Sequence, residues 1–230
     1  MNRLIVAGCS FSDWSKVENN YGEYLASKLN IPVRFFTSGC GSNQRIWRTL
    51  TKSIIEKDIT SKDILIVQYT TPERKEFWSR LSSKDPLDYT RQGNASKGSV
   101  MREAYLDGEL IKFKADAYKW QSVTQEKTFF KLFEDTFLSS DFETELFNTN
   151  SFMFQALLKE FNIRTVFLET CYTRPWPKLE CEFHHFLDIK PLQVGLNCQD
   201  DYCTHLTEEG HNNLGNYLAE FIEEREWLKQ

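Results

Sequence analysis

A chain of 230 residues with 40% hydrophobic residues, 18 phenylalanines among them, carries enough apolar volume for one domain-sized core, which excludes wholesale disorder. Its net charge of -5 argues against a protein that grips nucleic acid by neutralising phosphates, so no nucleic-acid partner is expected. No apolar run approaches the roughly 18 residues needed to cross a bilayer, so no membrane span is expected either.

The first element is Arg3 to Gly8, a short apolar run ending at glycine, as in a buried parallel strand. Val6-Ala-Gly-Cys9 has the look of a lipoprotein cleavage box, but the apolar stretch before Cys9 is only about five residues, below the ~7–15 of a signal-peptide core. A strand is the better reading. The next elements are a helix over Tyr21 to Leu29, closed by Asn30-Ile31-Pro32, and a second strand over Val33 to Thr37. The Gly39-Cys-Gly-Ser-Asn43 loop breaks the chain. Ile46, Trp47, Leu50, Ile54 and Ile55 then mark a helical stripe between Gln44 and Lys57. Asp63 to Tyr69 is a third and strongly apolar strand.

From Pro72 to Tyr118 the alternation fails, and residues 72–118 read as an insertion or lid. Phe129 to Phe161 is Phe-rich and helical, with a break expected near Asn148-Thr-Asn150. Arg164 to Thr170 is a fourth strand. Cys171 to Tyr202, with Pro175, Pro177 and Pro191, reads as a long loop. Thr207 is a good N-cap for a last helix with Glu208 and Glu209 in its first turn and an apolar face of Leu214, Tyr217, Leu218, Phe221 and Ile222. Alternating strands and helices imply one α/β domain over residues 1–230, with a mainly parallel sheet covered on both faces.

The six cysteines (Cys9, Cys40, Cys171, Cys181, Cys198 and Cys203) show no C-x-x-C spacing. Neither Cys198 and Cys203 with His205, nor Cys181 with His184 and His185, offers paired ligands at both ends, so no metal or other cofactor is expected. Reduced thiols and a cytoplasmic location are the expectation.

Ligands of parallel sheets sit at the carboxyl ends of the strands. Ser10, the 39–43 loop, Thr70-Thr71 and the loop after Thr170 all fall there. Ser10, just after the first strand, is the candidate nucleophile, although Gly-x-Ser after a strand also describes an ordinary turn. His205, two residues ahead of the Thr207 cap, is the candidate base, and Asp201 or Asp200 just upstream could orient its ring. The bland alternative is a His that packs against a helix end, and His211 inside the helix reads as a surface or packing residue. Glycines of the 39–43 loop permit close backbone approach and can direct N–H groups at an anion.

Taken in this order, Gly8-Cys9-Ser10-Phe11-Ser12, Gly41-Ser42-Asn43 and His205 before Glu209-Gly210-His211 resemble the blocks of the SGNH hydrolase family, also called GDSL esterases and lipases. The resemblance implies a flavodoxin-like three-layer α/β/α sandwich, a nucleophile at Ser10, a general base at His205 and a backbone oxyanion donor at Gly41. It further implies hydrolysis of an ester, such as a small acyl (acetyl) group on a carbohydrate or lipid. Three positions depart from the pattern. Cys9 stands where the first block has Asp. Gln68 to Arg74 lacks the Asn of the third block, which leaves Thr70, Thr71 or Asn43 as side-chain oxyanion donors. The Asp expected three residues before the His is Tyr202, with Asp201 one residue earlier. A non-catalytic domain that binds a ligand or protein partner in the same cleft is the competing reading. The 73–102 stretch, with Trp78 and Tyr89, and the aromatics Tyr172, Trp176 and Phe183 are candidate cleft walls for a small-molecule or glycan ester, although a charged stretch is more often a solvated face and aromatics more often pack a core. The sequence sets no oligomeric state.

Overall fold

The structure, a computed structural model, describes residues 3–9, 11–12, 17–37, 42–70, 75–77, 87–93, 100–106, 109–113, 140–170, 175–189 and 205–228. Five strands, β1 (Leu4–Gly8), β2 (Val33–Thr37), β3 (Ile64–Gln68), β8 (Arg164–Glu169) and β9 (His184–Asp188), form one parallel sheet in the order β2-β1-β3-β8-β9. Counted within this sheet alone, the order is that of flavodoxin-like folds, with the switch point between β1 and β3.

The strands at the centre are apolar throughout because both faces are covered. Every residue of β1 and β3 is buried, whereas the edge strands β2 and β9 are only partly so. Successive side chains of a strand point to opposite faces. Leu4, Val6, Ile64, Ile66, Val166 and Leu168 accordingly meet α1 (Tyr21–Leu29) and α4 (Glu208–Glu224). Ile5, Ala7, Leu65, Val67 and Phe167 meet α2 (Asn43–Ile55) and α3 (Ser140–Glu160) on the other face. The chain is a three-layer α/β/α sandwich.

Helix starts are set locally. Asn20 caps α1 through its side chain, which accepts from Gly22 and Glu23 N–H, while Glu23 reaches back to the Asn20 N–H at 2.7 Å. Ser42 caps α2 by accepting from Arg45 N–H, and Thr207 caps α4 by accepting from Gly210 N–H. At its other end α1 stops on Asn30, whose left-handed φ of 51° suits asparagine.

Two expectations fail. The helix is not interrupted at residues 148–150; α3 runs unbroken, because Asn150 Nδ2 donates to the Leu146 carbonyl at 2.9 Å inside the helix. Phe147, Ser151, Phe154, Gln155 and Leu158 form its buried face, and this packing outweighs weak local propensity. Nor are residues 171–202 all loop, since β9 pairs with β8 as an edge strand. Between β3 and α3, β4 (Lys75–Phe77), β5 (Leu87–Gly93), β6 (Val100–Leu106) and β7 (Glu109–Phe113) make a separate antiparallel sheet, with β4 beside α2. Among the described residues, no helix is long and apolar enough to cross a membrane.

The layer of α1 and α4 allows no added volume at their crossing. A Cβ on Gly215 would lie 2.6 Å from Tyr24 Cβ, 3.0 Å from the Tyr21 carbonyl oxygen and 3.1 Å from Leu25 N. Helix propensity alone makes Gly→Ala favourable by about 1 kcal/mol. Gly215→Ala is nevertheless expected to destabilise the fold by roughly 1–3 kcal/mol through overpacking. Urea unfolding checks this, and an unchanged or raised stability would contradict the close crossing.

Candidate active site

Because β1, β3 and β8 run parallel, their carboxyl ends share one edge of the sheet. Four interactions knit the loops there. At the end of β1, Ser12 N–H donates to the Cys9 carbonyl at 2.9 Å and closes a tight turn. The Ser12 side chain folds back beneath that turn. Its hydroxyl donates to Gln68 Oε1 at the end of β3 and lies 2.8 Å from the Tyr21 hydroxyl, which is itself 3.3 Å from Gln68 Oε1. All three side chains are buried. Burial pushes the Tyr21 phenol well above its ordinary range, so it stays a neutral hydrogen-bond donor. Gly8 makes room for this arrangement, since a Cβ there would collide with Ser12 Oγ and lie 3.0 Å from Ser12 Cβ.

The second interaction brings the last loop to the first. The His205 ring stacks on Phe11 with centroids 4.4 Å apart and planes 12° from parallel. His205 is partly exposed, while Phe11 is buried. The start of α4 is anchored beside it. Glu208 accepts from the backbone N–H groups of Glu18 (2.8 Å) and Asn19 (3.2 Å) and from the Tyr24 hydroxyl. The Tyr24 hydroxyl, followed by those N–H groups, holds the Glu208 carboxyl below its ordinary range. His211 is fully buried, and its Nδ1 accepts from Tyr21 N–H at 3.1 Å. A backbone N–H can only donate, so His211 is neutral, with its proton on Nε2.

The third is a clamp between the start of α2 and the residue that follows Tyr69. Asn43 Oδ1 accepts from Thr70 N–H and Asn43 Nδ2 donates to the Thr70 carbonyl, both at 2.9 Å. The fourth ties β3 to the helices and to the segment after β8. The buried Tyr69 hydroxyl meets Trp47 Nε1 and Ser151 Oγ, each at 3.2 Å, and its ring packs edge-on against Trp176 at 4.8 Å. Gln155 holds that segment by donating to the Pro177 carbonyl at 3.0 Å and accepting from Leu179 N–H at 2.7 Å.

No family model and no curated protein matches the sequence. Solved structures do match the fold. A protein assigned to the G-D-S-L family of lipolytic proteins, from Desulfitobacterium hafniense DCB-2, aligns with a TM-score of 0.50 over 95% of this chain and 98% of its own, at 9% identity. The lipase Lip_vut3 from a goat rumen metagenome aligns with a TM-score of 0.50 over 96% of this chain and 97% of its own, also at 9% identity. The chain has the SGNH/GDSL-like hydrolase fold.

Within this fold the described candidates are distributed as follows. His205 lies against the β1 turn. Asn43 and Thr70 hold one another across the neighbouring loops. Ser10, Gly41, Thr71 and Asp201, together with Asp200, lie outside the described residues. Cys9 is buried and forms no disulfide. His211 is a packing residue inside α4, stacked near-parallel to Tyr21 at 6.0 Å. Trp176 belongs to the buried aromatic cluster around Tyr69, not to an open wall. Sequence reasoning did not find the Ser12, Tyr21 and Gln68 cluster. The one signal for it was a glutamine closing the otherwise apolar run Ile64 to Gln68.

Burial pushes the His211 imidazole down from 6.5 to about 4, against a smaller opposing effect of Glu208. The unfolded chain therefore takes up a proton between pH 6.5 and about 4 that the folded chain does not. Stability from this group is fully present above pH 6.5 and is lost as pH falls toward 4, by roughly 3 kcal/mol in all. His211→Asn keeps an acceptor near Tyr21 N–H but cannot titrate. Denaturant unfolding from pH 7 to 4 is expected to show a shallower loss in this variant, and parallel curves for both proteins would refute the assignment.

Proposed function

We propose that this chain is a serine hydrolase that cleaves esters carrying a small acyl group. The observation that carries the proposal is the Phe11–His205 stack, which joins the residue directly after Ser10 to the candidate base at the carboxyl edge of the parallel sheet. The fold, shared with proteins described as lipolytic and as a lipase, supports the same reading. So does the fate of the other serine in the motif, because Ser12 is buried and fully engaged and leaves Ser10 as the residue to react.

In this mechanism Ser10 Oγ attacks the ester carbonyl while His205 accepts the hydroxyl proton. His205 then returns a proton to the leaving alcohol, and water hydrolyses the acyl-enzyme by the same route in reverse. Asp201 orients the imidazole, with Asp200 as the neighbouring alternative. The backbone N–H groups of Ser10 and Gly41 hold the oxyanion. Thr70 or Thr71 supplies a side-chain donor. Asn43 already spends its oxygen and one N–H on Thr70 and so has at most one N–H to offer. The 72–118 segment acts as a lid that shapes the acyl or alcohol pocket.

A fluorophosphonate probe is expected to add one phosphonyl group at Ser10, seen by peptide mass spectrometry, and Ser10→Ala is expected to abolish labelling. Hydrolysis of short-chain p-nitrophenyl esters, acetylated sugars and acyl lipids then ranks the substrates. Ser10→Ala and His205→Ala should each lower turnover at least about a thousandfold. If wild type and Ser10→Ala are equally slow on every ester, the chain is a binding domain built on a hydrolase fold.

A further inference from the structure

We infer that Tyr21 is a positioning residue of the active site, acting at both ends: its phenol fixes the nucleophile turn and its backbone N–H fixes the helix that follows the base. The inference rests on the hydrolase reading for the identity of the two reacting groups, but its geometry does not.

Tyr21 opens α1, and no residue of the catalytic motifs precedes or follows it closely. Its hydroxyl sits 2.8 Å from Ser12 Oγ, and Ser12 also bonds Gln68 Oε1. Proton counting makes this set directional. Gln68 Oε1 can only accept, Ser12 has one hydrogen and gives it to Gln68, and the Tyr21 hydrogen goes to Ser12 Oγ or to Gln68. The Ser12 side chain is thereby held in one rotamer over Gly8, and Ser12 N–H remains on the Cys9 carbonyl. Only positions 10 and 11 lie inside that closed turn, and Phe11 is the residue that His205 stacks upon.

At its other end Tyr21 donates its N–H to His211 Nδ1 in the first turns of α4. Three further contacts fix the same junction: Glu208 on Glu18 N–H, Glu208 on Tyr24 hydroxyl, and the close approach of Gly215 to the Tyr21 carbonyl. His205 stands two residues before the Thr207 cap of that helix. One buried residue, through its phenol at one end and its backbone N–H at the other, therefore links the Cys9–Ser12 turn to the helix that follows His205. Misplacement of either by about 1 Å costs on the order of a hundredfold in rate.

The test uses Tyr21→Phe, which removes one oxygen from a buried site, and Ser12→Ala, which removes the other partner of the same bond should the first variant fold poorly. With p-nitrophenyl acetate, each variant is expected to lower kcat roughly ten- to a hundredfold. KM should stay within about twofold, because the groups that bind substrate are untouched. The double variant should lose no more than the worse single variant, as for residues that act as one unit. Hydrogen exchange at the Ser12 amide follows the turn without any chemistry and is expected to quicken in both variants. Wild-type kcat in Tyr21→Phe, multiplied losses in the double variant, or unchanged exchange at Ser12 would each overturn the inference. A wild type that neither turns over the ester nor takes up fluorophosphonate overturns the hydrolase reading instead, and the exchange measurement still decides the positioning role.

Discussion

The first turn of α1 has four backbone N–H groups that no helical carbonyl can reach. Three are met within the turn itself, by the reciprocal pair of Asn20 and Glu23. The fourth, on Tyr21, has no local partner and is met by His211, 190 residues further along the chain. A buried N–H without an acceptor costs about 1–3 kcal/mol, so α4 is bound to dock with its first turn at this spot. Much else follows from that docking. Glu208 lands between the starts of α1 and α4, where the positive ends of two helices favour a carboxylate. Gly215 is required where the helices cross. His205, immediately upstream of the cap, comes to lie on Phe11. The polar junction of two helices thus sets the separation of the two loops in which the reaction is proposed.

The parts of this architecture that can be read from sequence are those set by local physics. Tyr21–Leu29 and Val33–Thr37 were legible to the residue, with Asn30 and Pro32 punctuating the junction between them. The central strands announce themselves as apolar runs, since burial on both faces leaves no polar register. The edge strand His184–Asp188 does not, because one side of an edge is open and the segment carries two histidines and an aspartate. The continuity of α3 through Asn148–Asn150 was hidden for a related reason. Asparagine competes with the helix backbone when alone, but Ser151 and Gln155 are drawn into bonds with Tyr69 and the 175–179 segment. In the site, the residues carried by short motifs (His205, Thr207, Asn43) stood out, and those joined only through space (Tyr21, Gln68) did not.

Two serines separated by one residue in Cys9-Ser10-Phe11-Ser12 have opposite demands on them. A serine that reacts must be able to surrender its proton to a base and move toward a carbonyl. A serine inside a closed set of two hydroxyls and an amide oxygen can do neither without leaving partners unsatisfied. Burial of the Ser12 and Tyr21 hydroxyls and of Gln68 Oε1 is tolerable because these three oxygens satisfy one another. That same condition makes the cluster rigid, since rotating Ser12 would give up its bonds to both neighbours. A polar cluster beneath the turn is thus better suited to holding a nucleophile loop than an apolar plug, which would fill space without fixing a rotamer.

The remaining constraint concerns charge. In the proposed hydrolysis a carbonyl oxygen becomes an oxyanion, and the loss of one donor typically costs ~100- to 1000-fold. Asn43, at the start of α2, is turned onto the Thr70 backbone. Its amide holds two loops in register in place of offering both N–H groups to substrate. The burden then shifts to backbone N–H groups of the loops after β1 and β2 and to the start of α2, which Ser42 caps and whose dipole presents positive potential to that side. Backbone donors have no rotamers, so their aim depends wholly on where the loops are held. The Asn43–Thr70 clamp and the Ser12–Tyr21–Gln68 cluster both act on that placement. Backbone donors can serve the reaction only if their loops are held firmly, and the two buried polar contacts, Asn43 with Thr70 and Ser12 with Tyr21 and Gln68, lie at those loops.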